Sequence, residues 1–216
     1  MAFHGWTDAV LDFYEGLERD NSRAYWLAHK AVYDEHVRGP MDALLAELTD
    51  EFGPARVFRP NRDMRFSADK SPYKMHVGAT LGTYAYVQIS ADGLGVGSGA
   101  YLFATDQLAR FRRAVAADLP GDALVRIAAD VRAAGLTVTA GSTLATAPRG
   151  YPRDHSRIEL LRLKGLTTWT QWEPEPWLST ASAKGHVVAA LRASVPLVEW
   201  FATHVGPSEL PPERRR

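Results

Sequence analysis

The hydrophobic period of this chain changes from that of a helix to that of a strand, and the change limits the folds open to it. Val10, Phe13, Tyr14 and Leu17 recur at i, i+3, i+4 and i+7 and predict a helix over about residues 7–19, with Thr7 or Asp8 able to cap it. Asn21 or Ser22 can cap a second helix, with Ala24, Leu27, Ala28, Ala31 and Val32 along its inner side. Gly39-Pro40 should halt or kink it. A third helix follows, with Met41, Leu44, Leu45, Leu48 and Phe52 inward, ended by Gly53-Pro54. Over residues 83–90 the period falls to two, placing Tyr84, Tyr86 and Gln88 on one face and Ala85, Val87 and Ile89 on the other. Ala91-Asp92-Gly93 is a turn signal, residues 94–101 form the returning strand, and residues 75–81 pair nearby. An antiparallel meander follows from this spacing.

The second half repeats the segregation. Two helices carry Leu108, Phe111 and Val115, then Leu124, Ile127, Ala128 and Val131, with a break at Pro120-Gly121-Asp122. A strand over 136–139, a loop over 140–156, a short helix from Ile158, a strand over 166–172 and a turn over 173–176 come next. The last helix spans about 179–205, where Pro196 should kink or divide it, and the polar tail from Ser208 onward should be disordered. Helices and strands cluster rather than alternate. The expectation is therefore one α+β domain over residues 1–207, an antiparallel meander sheet packed with several helices.

Charge narrows the function. Lys plus Arg and Asp plus Glu both number 25, so the chain has no net charge for gripping a nucleic acid or an anionic membrane in bulk. The absence of cysteine excludes disulfides, thiolate metal sites and a Cys nucleophile. No leader pattern or membrane-length apolar run is visible, so the expectation is a cytoplasmic protein. His29 and His36 are too far apart along a helix to share a metal ion, and no other histidine spacing suggests one. No cofactor or protein partner is indicated.

Residues 56–74 concentrate the positive charge. Arg56, Arg59, Arg62, Arg65, Lys70 and Lys74 stand against Asp63 and Asp69, a local charge of +4 that leaves −4 for the remainder. Such a confined patch suits a small anionic ligand. The arginines recur every three residues, which in polyproline II would align four guanidinium groups. Guanidinium binds phosphate and carboxylate bidentately. Asp63 and Asp69 should hold these cations in place, or could hold a divalent cation beside phosphate. Ser71-Pro-Tyr-Lys74 matches S-x-x-K, where a lysine activates a serine one helical turn away, but the partner motifs of that chemistry are missing. Gly95, Gly97 and Gly99 do not fit a phosphate-binding fingerprint, and close packing explains alternating glycines better. Trp26 and Lys30, one turn apart, could line a pocket or could simply pack and snorkel.

The run Arg62-Asp63-x-Arg65-Phe66-Ser67-x-Asp69-Lys70-x-Pro72-Tyr73-Lys74 resembles the signature of the domain of unknown function 2461 family. Asn21 to Trp26, the glycine-rich strand ending at Tyr101, Pro148 to Pro152, and Leu160 to Lys164 are also similar to that family. The resemblance implies no activity. It implies that these segments converge, which makes His155, Arg162 and Lys164 candidate partners of the central stretch. The leading expectation is a pocket for a small phosphorylated or carboxylated ligand, on which the protein could act as an enzyme, formed by Arg62, Asp63, Arg65, Ser67, Asp69, Lys70, Tyr73 and Lys74 with Trp26, Lys30, His155, Arg162 and Lys164. The alternative is a non-catalytic domain in which the stretch is an internal salt-bridge network or docks an acidic partner.

Overall fold

The computed structural model describes residues 2–63, 65 and 69–211. The chain is α+β. Its helices are α1 (Ala9–Arg19), α2 (Arg23–Val32), α3 (Gly39–Phe52), α4 (Thr105–Ala116), α5 (Asp118–Ala133), α6 (Ile158–Leu161) and α7 (Ser182–His204), with a π-helical segment Tyr33–Arg38 between α2 and α3. The strands are β1 (Ala55–Val57), β2 (His76–Leu81), β3 (Ala85–Ser90), β4 (Gly93–Ala100), β5 (Thr137–Thr139) and β6 (Leu166–Trp172). They form a six-stranded antiparallel sheet in the order β1-β2-β3-β4-β6-β5. Two compact units can be distinguished: residues 1–96 with 171–189, and residues 97–170 with 190–216. No helix among the described residues is long and apolar enough to cross a membrane.

The first unit shows why α1 forms where its apolar stripe lies: Val10, Phe13, Tyr14 and Leu17 are all buried. Asp8 precedes the helix but makes no side-chain cap, whereas Ser22 caps α2 by accepting from the Tyr25 N–H at 3.1 Å. The inner face of α2 differs from the sequence reading. Leu27 is 61% exposed and Ala24, Ala28 and Ala31 face solvent, while Trp26 is buried. One indole buries more apolar area than several methyl groups, so the aromatic side wins.

Gly39-Pro40 does not stop the helix. The Gly39 N–H donates to the Asp34 carbonyl five residues back, a π turn, and Pro40 then sits in the first turn of α3, where its missing N–H costs nothing. Met41, Leu44, Leu45 and Leu48 are buried as their spacing predicts. In β2 and β3, Val77, Ala79, Leu81, Val87 and Ile89 are buried on one face. Registry places His76 opposite Ser90, Gly78 opposite Gln88 and Thr80 opposite Tyr86 on the other face, most of it half-buried. Arg56 pairs with Thr80 in β1, so the polyproline II stripe of four arginines does not form.

In the second unit, Pro120-Gly121 is not a break. The break falls at Ala117, and α5 runs from Asp118 with Pro120 in its first turn. Arg157 fastens this corner, with Nε donating to the Val115 carbonyl at 2.7 Å, Nη2 to the Ala116 carbonyl at 3.0 Å, and Nη1 to Asp122. α4 is capped by Gln107, whose Oε1 accepts from the Ala104 N–H at 3.1 Å, rather than by Thr105 or Asp106. Asp106 instead receives the Ser208 hydroxyl and the Glu209 N–H, each at 2.8 Å. α7 continues through Pro196 without dividing. The β4 glycines are crowded by backbone: a Cβ on Gly97 would meet the Thr168 carbonyl at 2.6 Å, and one on Gly99 the Leu166 carbonyl at 2.3 Å.

Candidate functional site

The basic stretch becomes a loop tied at its neck. Asn61 bridges to Tyr73, the Arg62 N–H donates to the Pro72 carbonyl at 2.9 Å, and the Lys74 N–H donates to the Pro60 carbonyl at 2.8 Å. These bonds draw residues 60–62 against 72–74, and of the described residues between them Asp63, Arg65, Asp69 and Lys70 are exposed at the tip. Ser67 lies outside the described residues.

Within the tip the charges pair with one another. Arg62 bonds to Asp69, and Arg65 grips Asp63 with Nε at 2.9 Å and Nη2 at 2.6 Å. Hydrogen bonds from Ser71, then from Arg62, hold the Asp69 carboxyl well below the usual range, and those from Arg65 do the same for Asp63. Both carboxylates are therefore committed to neighbours. Ser71 and Lys74 are not on a helix; the Ser71 N–H serves Asp69, and Lys74 Nζ donates to the Arg59 carbonyl at 3.0 Å. That is not the geometry of a serine activated by a lysine.

The neck rests on an aromatic floor. Tyr73 is buried and stacked on Trp26, with centroids 4.4 Å apart and planes 10° apart. Trp26 also meets Tyr33 at 4.7 Å and Phe13 at 5.8 Å. The Tyr73 backbone is held by Asn21 through bonds of 3.0 and 3.1 Å. Lys30 points elsewhere, to Asp34.

Lys74 is the exception to the pairing. Its ammonium lies 5.3 Å from the centroid of the Phe58 ring, and neither it nor Arg59 makes an ion pair among the described residues. Burial, then the charge of Arg59, lowers the Lys74 pKa. Burial, then the charge of Lys74, lowers that of His76. A partly buried ammonium beside a second cation, with no carboxylate in ion-pair contact with either among the described residues, is an electrostatic arrangement that an anion relieves. His76, Phe58 and Tyr86 escaped the sequence reading of the site, although the alternation that places Tyr86 and Gln88 on the polar face of β3 marks that face.

His155, Arg162 and Lys164 belong to the second unit. There His155 Nδ1 accepts from the Arg157 N–H at 3.0 Å, and Arg162 donates to the Leu144 carbonyl at 2.7 Å and to Glu159 at 3.0 Å. The Lys164 backbone pairs with Ser142 and Phe103 at 2.9 and 2.8 Å. A separate cleft of about 420 Å³ in the first unit, lined by Trp6, Leu11, Pro174 and Pro176 with Asp8 and Glu175, has the wrong charge for an anion.

No curated protein and no solved structure matches the chain. A family model described as a conserved hypothetical protein, DUF2461, matches residues 9–200, so the loop signature, its Asn21–Trp26 support and the polar sheet face all lie within it. The chain belongs to the DUF2461 family.

Proposed function

We propose that the loop neck binds the anionic group of a small phosphorylated or carboxylated ligand, with Lys74 and Arg59 as its counter-charges and neutral His76 beside them. The observation that carries this reading is the Lys74–Arg59 pair: Lys74 is partly buried, neither cation makes an ion pair among the described residues, and the carboxylate that Arg59 does influence, Asp63, is already gripped by Arg65. Arg62, Arg65, Asp63 and Asp69 then shape the loop rather than touch the anion, and Tyr73 and Trp26 set its height above the sheet. Arg162, Lys164 and His155 are not part of this reading.

A second reading, in which the whole stretch is a structural clamp, is favoured by the Arg62–Asp69 and Arg65–Asp63 pairs. Calorimetric titration with inorganic phosphate separates the two. Saturable binding that weakens roughly ten- to a hundredfold in both Lys74→Ala and Arg59→Ala, with folding intact, supports the anion site. Absence of saturable binding, or binding indifferent to both substitutions, leaves the clamp.

A further inference from the structure

Two clefts of the first unit meet at one turn. The first, of about 420 Å³, is lined by Trp6, Leu11, Pro174 and Pro176 with Asp8 and Glu175. The second, of about 440 Å³, is lined by Ala91, Asp92, Gln171, Glu173 and Pro174, so Pro174 belongs to both. Their walls are tied to the turn. The Trp6 N–H donates to the Leu178 carbonyl at 2.8 Å, and Gln171 Nε2 donates to the Asp92 carbonyl at 3.3 Å. Gly5 and Gly93, both at positive φ, lie so close to the Thr180 nitrogen and the Trp172 carbonyl that neither site has room for a Cβ. The groove is therefore built before any ligand arrives, which lowers the cost of binding.

We propose that these clefts form a docking groove for an extended basic peptide segment. Its lysine or arginine side chains meet the acid pairs, and one of its backbone carbonyls meets the Trp6 indole. Asp8 and Glu175 make the first cleft negative, Asp92 and Glu173 the second, and no Lys or Arg lines either. All four acids are exposed, and none of their carboxylates makes an ion pair or accepts a hydrogen bond among the described residues. Asp8 even stands at the N-cap of α1 without capping it, which leaves its carboxylate uncommitted. Trp6 is 1% exposed, and its Nε1–H has no hydrogen-bond partner. A buried donor without an acceptor is costly, and a carbonyl brought into the cleft that Trp6 lines would satisfy it. A simple polyamine offers charge but no acceptor; a peptide repeats both along its length. Exposed ion pairs each contribute little, so the carboxylates steer and orient the chain while the indole selects it. Exposed Pro174 and Pro176 supply the apolar surface against which an extended backbone lies. This groove shares no residue with the anion site at Lys74.

The test compares N-acetyl-trilysine amide with spermidine, equal in positive charge, by calorimetry on the full chain at physiological ionic strength. The expected result is saturable binding of the peptide, about tenfold tighter than that of spermidine, because only the peptide offers a carbonyl. Asp8→Asn with Glu175→Gln, and Asp92→Asn with Glu173→Gln, should each weaken the peptide about three- to tenfold. Thermal stability of both double variants should match that of the natural protein, because these carboxylates hold nothing in the fold. In a nitrogen–proton correlation spectrum, the Trp6 indole N–H should move downfield as the peptide saturates. Equal affinity for peptide and spermidine, or a Trp6 indole signal that stays in place, overturns the peptide groove. Absence of saturable peptide binding, or binding indifferent to both double variants, overturns it as well. None of these outcomes bears on phosphate binding at Lys74.

Discussion

Asn21 holds Tyr73 as a neighbouring strand would: its Oδ1 accepts from the Tyr73 N–H at 3.0 Å and its Nδ2 donates to the Tyr73 carbonyl at 3.1 Å. Asn21 is free for this because Ser22, one residue later, caps α2. One side chain thus satisfies both peptide groups of a buried loop residue 52 positions away. Asn21→Ala should destabilise the protein by about 2 kcal/mol, since two bonds are lost and the buried Tyr73 amide is left unmatched. Urea denaturation should show a lower midpoint at unchanged slope.

The ring of Tyr73 depends on Trp26. Trp26→Ala should cost about 3–5 kcal/mol, the range for deleting a buried aromatic, whereas Trp26→Phe retains stacking and should cost less. Thermal melting of the two variants measures the difference. Equal losses would show that a phenyl ring at this position recovers none of the contact with Tyr73.

Gly121 and Arg157 make a linked prediction of sign. Glycine within a helix ordinarily invites stabilisation by Gly→Ala of about 1 kcal/mol. Here a Cβ would meet the Val115 carbonyl at 2.3 Å and Arg157 Nε at 2.5 Å. Gly121→Ala should therefore destabilise, by about 1–2 kcal/mol after the propensity gain. Urea denaturation reads the sign directly.

Acid should release the C-terminal segment. Burial works against the Asp106 charge, but bonds from the Glu209 N–H, the Ser208 hydroxyl and the Gln107 N–H, with Arg110 nearby, outweigh it and hold its pKa at about 2. The unfolded value is about 3.9. The depressed carboxyl contributes stability that is full above that value and is lost as pH falls through about 2. The melting-temperature gap between the natural protein and Asp106→Asn should be open at neutral pH and closed in strong acid.

The sequence carried the fold further than the site. Val10, Phe13, Tyr14 and Leu17, or Val87 and Ile89, show their burial through period alone, because regular backbone converts spacing into a face. Breakers were harder. Gly39-Pro40 and Pro120-Gly121 are helix-compatible here because a π turn or a first-turn position removes the need for the proline N–H. At the site, Arg62, Asp63, Arg65 and Asp69 were visible as a charge cluster, but which cation stays unpaired depends on loop closure at Pro60 and Pro72. The roles of His76 and Phe58 depend on strand register, which pairs residues far apart in the chain.

The central claim is an anion held at Lys74 and Arg59. Its most direct test is a crystal structure with selenate, whose selenium marks the site by anomalous scattering. A selenate oxygen should lie within hydrogen-bond reach of Lys74 Nζ and of the Arg59 guanidinium, and be absent from Lys74→Ala crystals. Selenate found only on Arg62, Arg65 or elsewhere, with Lys74 still bonded to the Arg59 carbonyl alone, would contradict it.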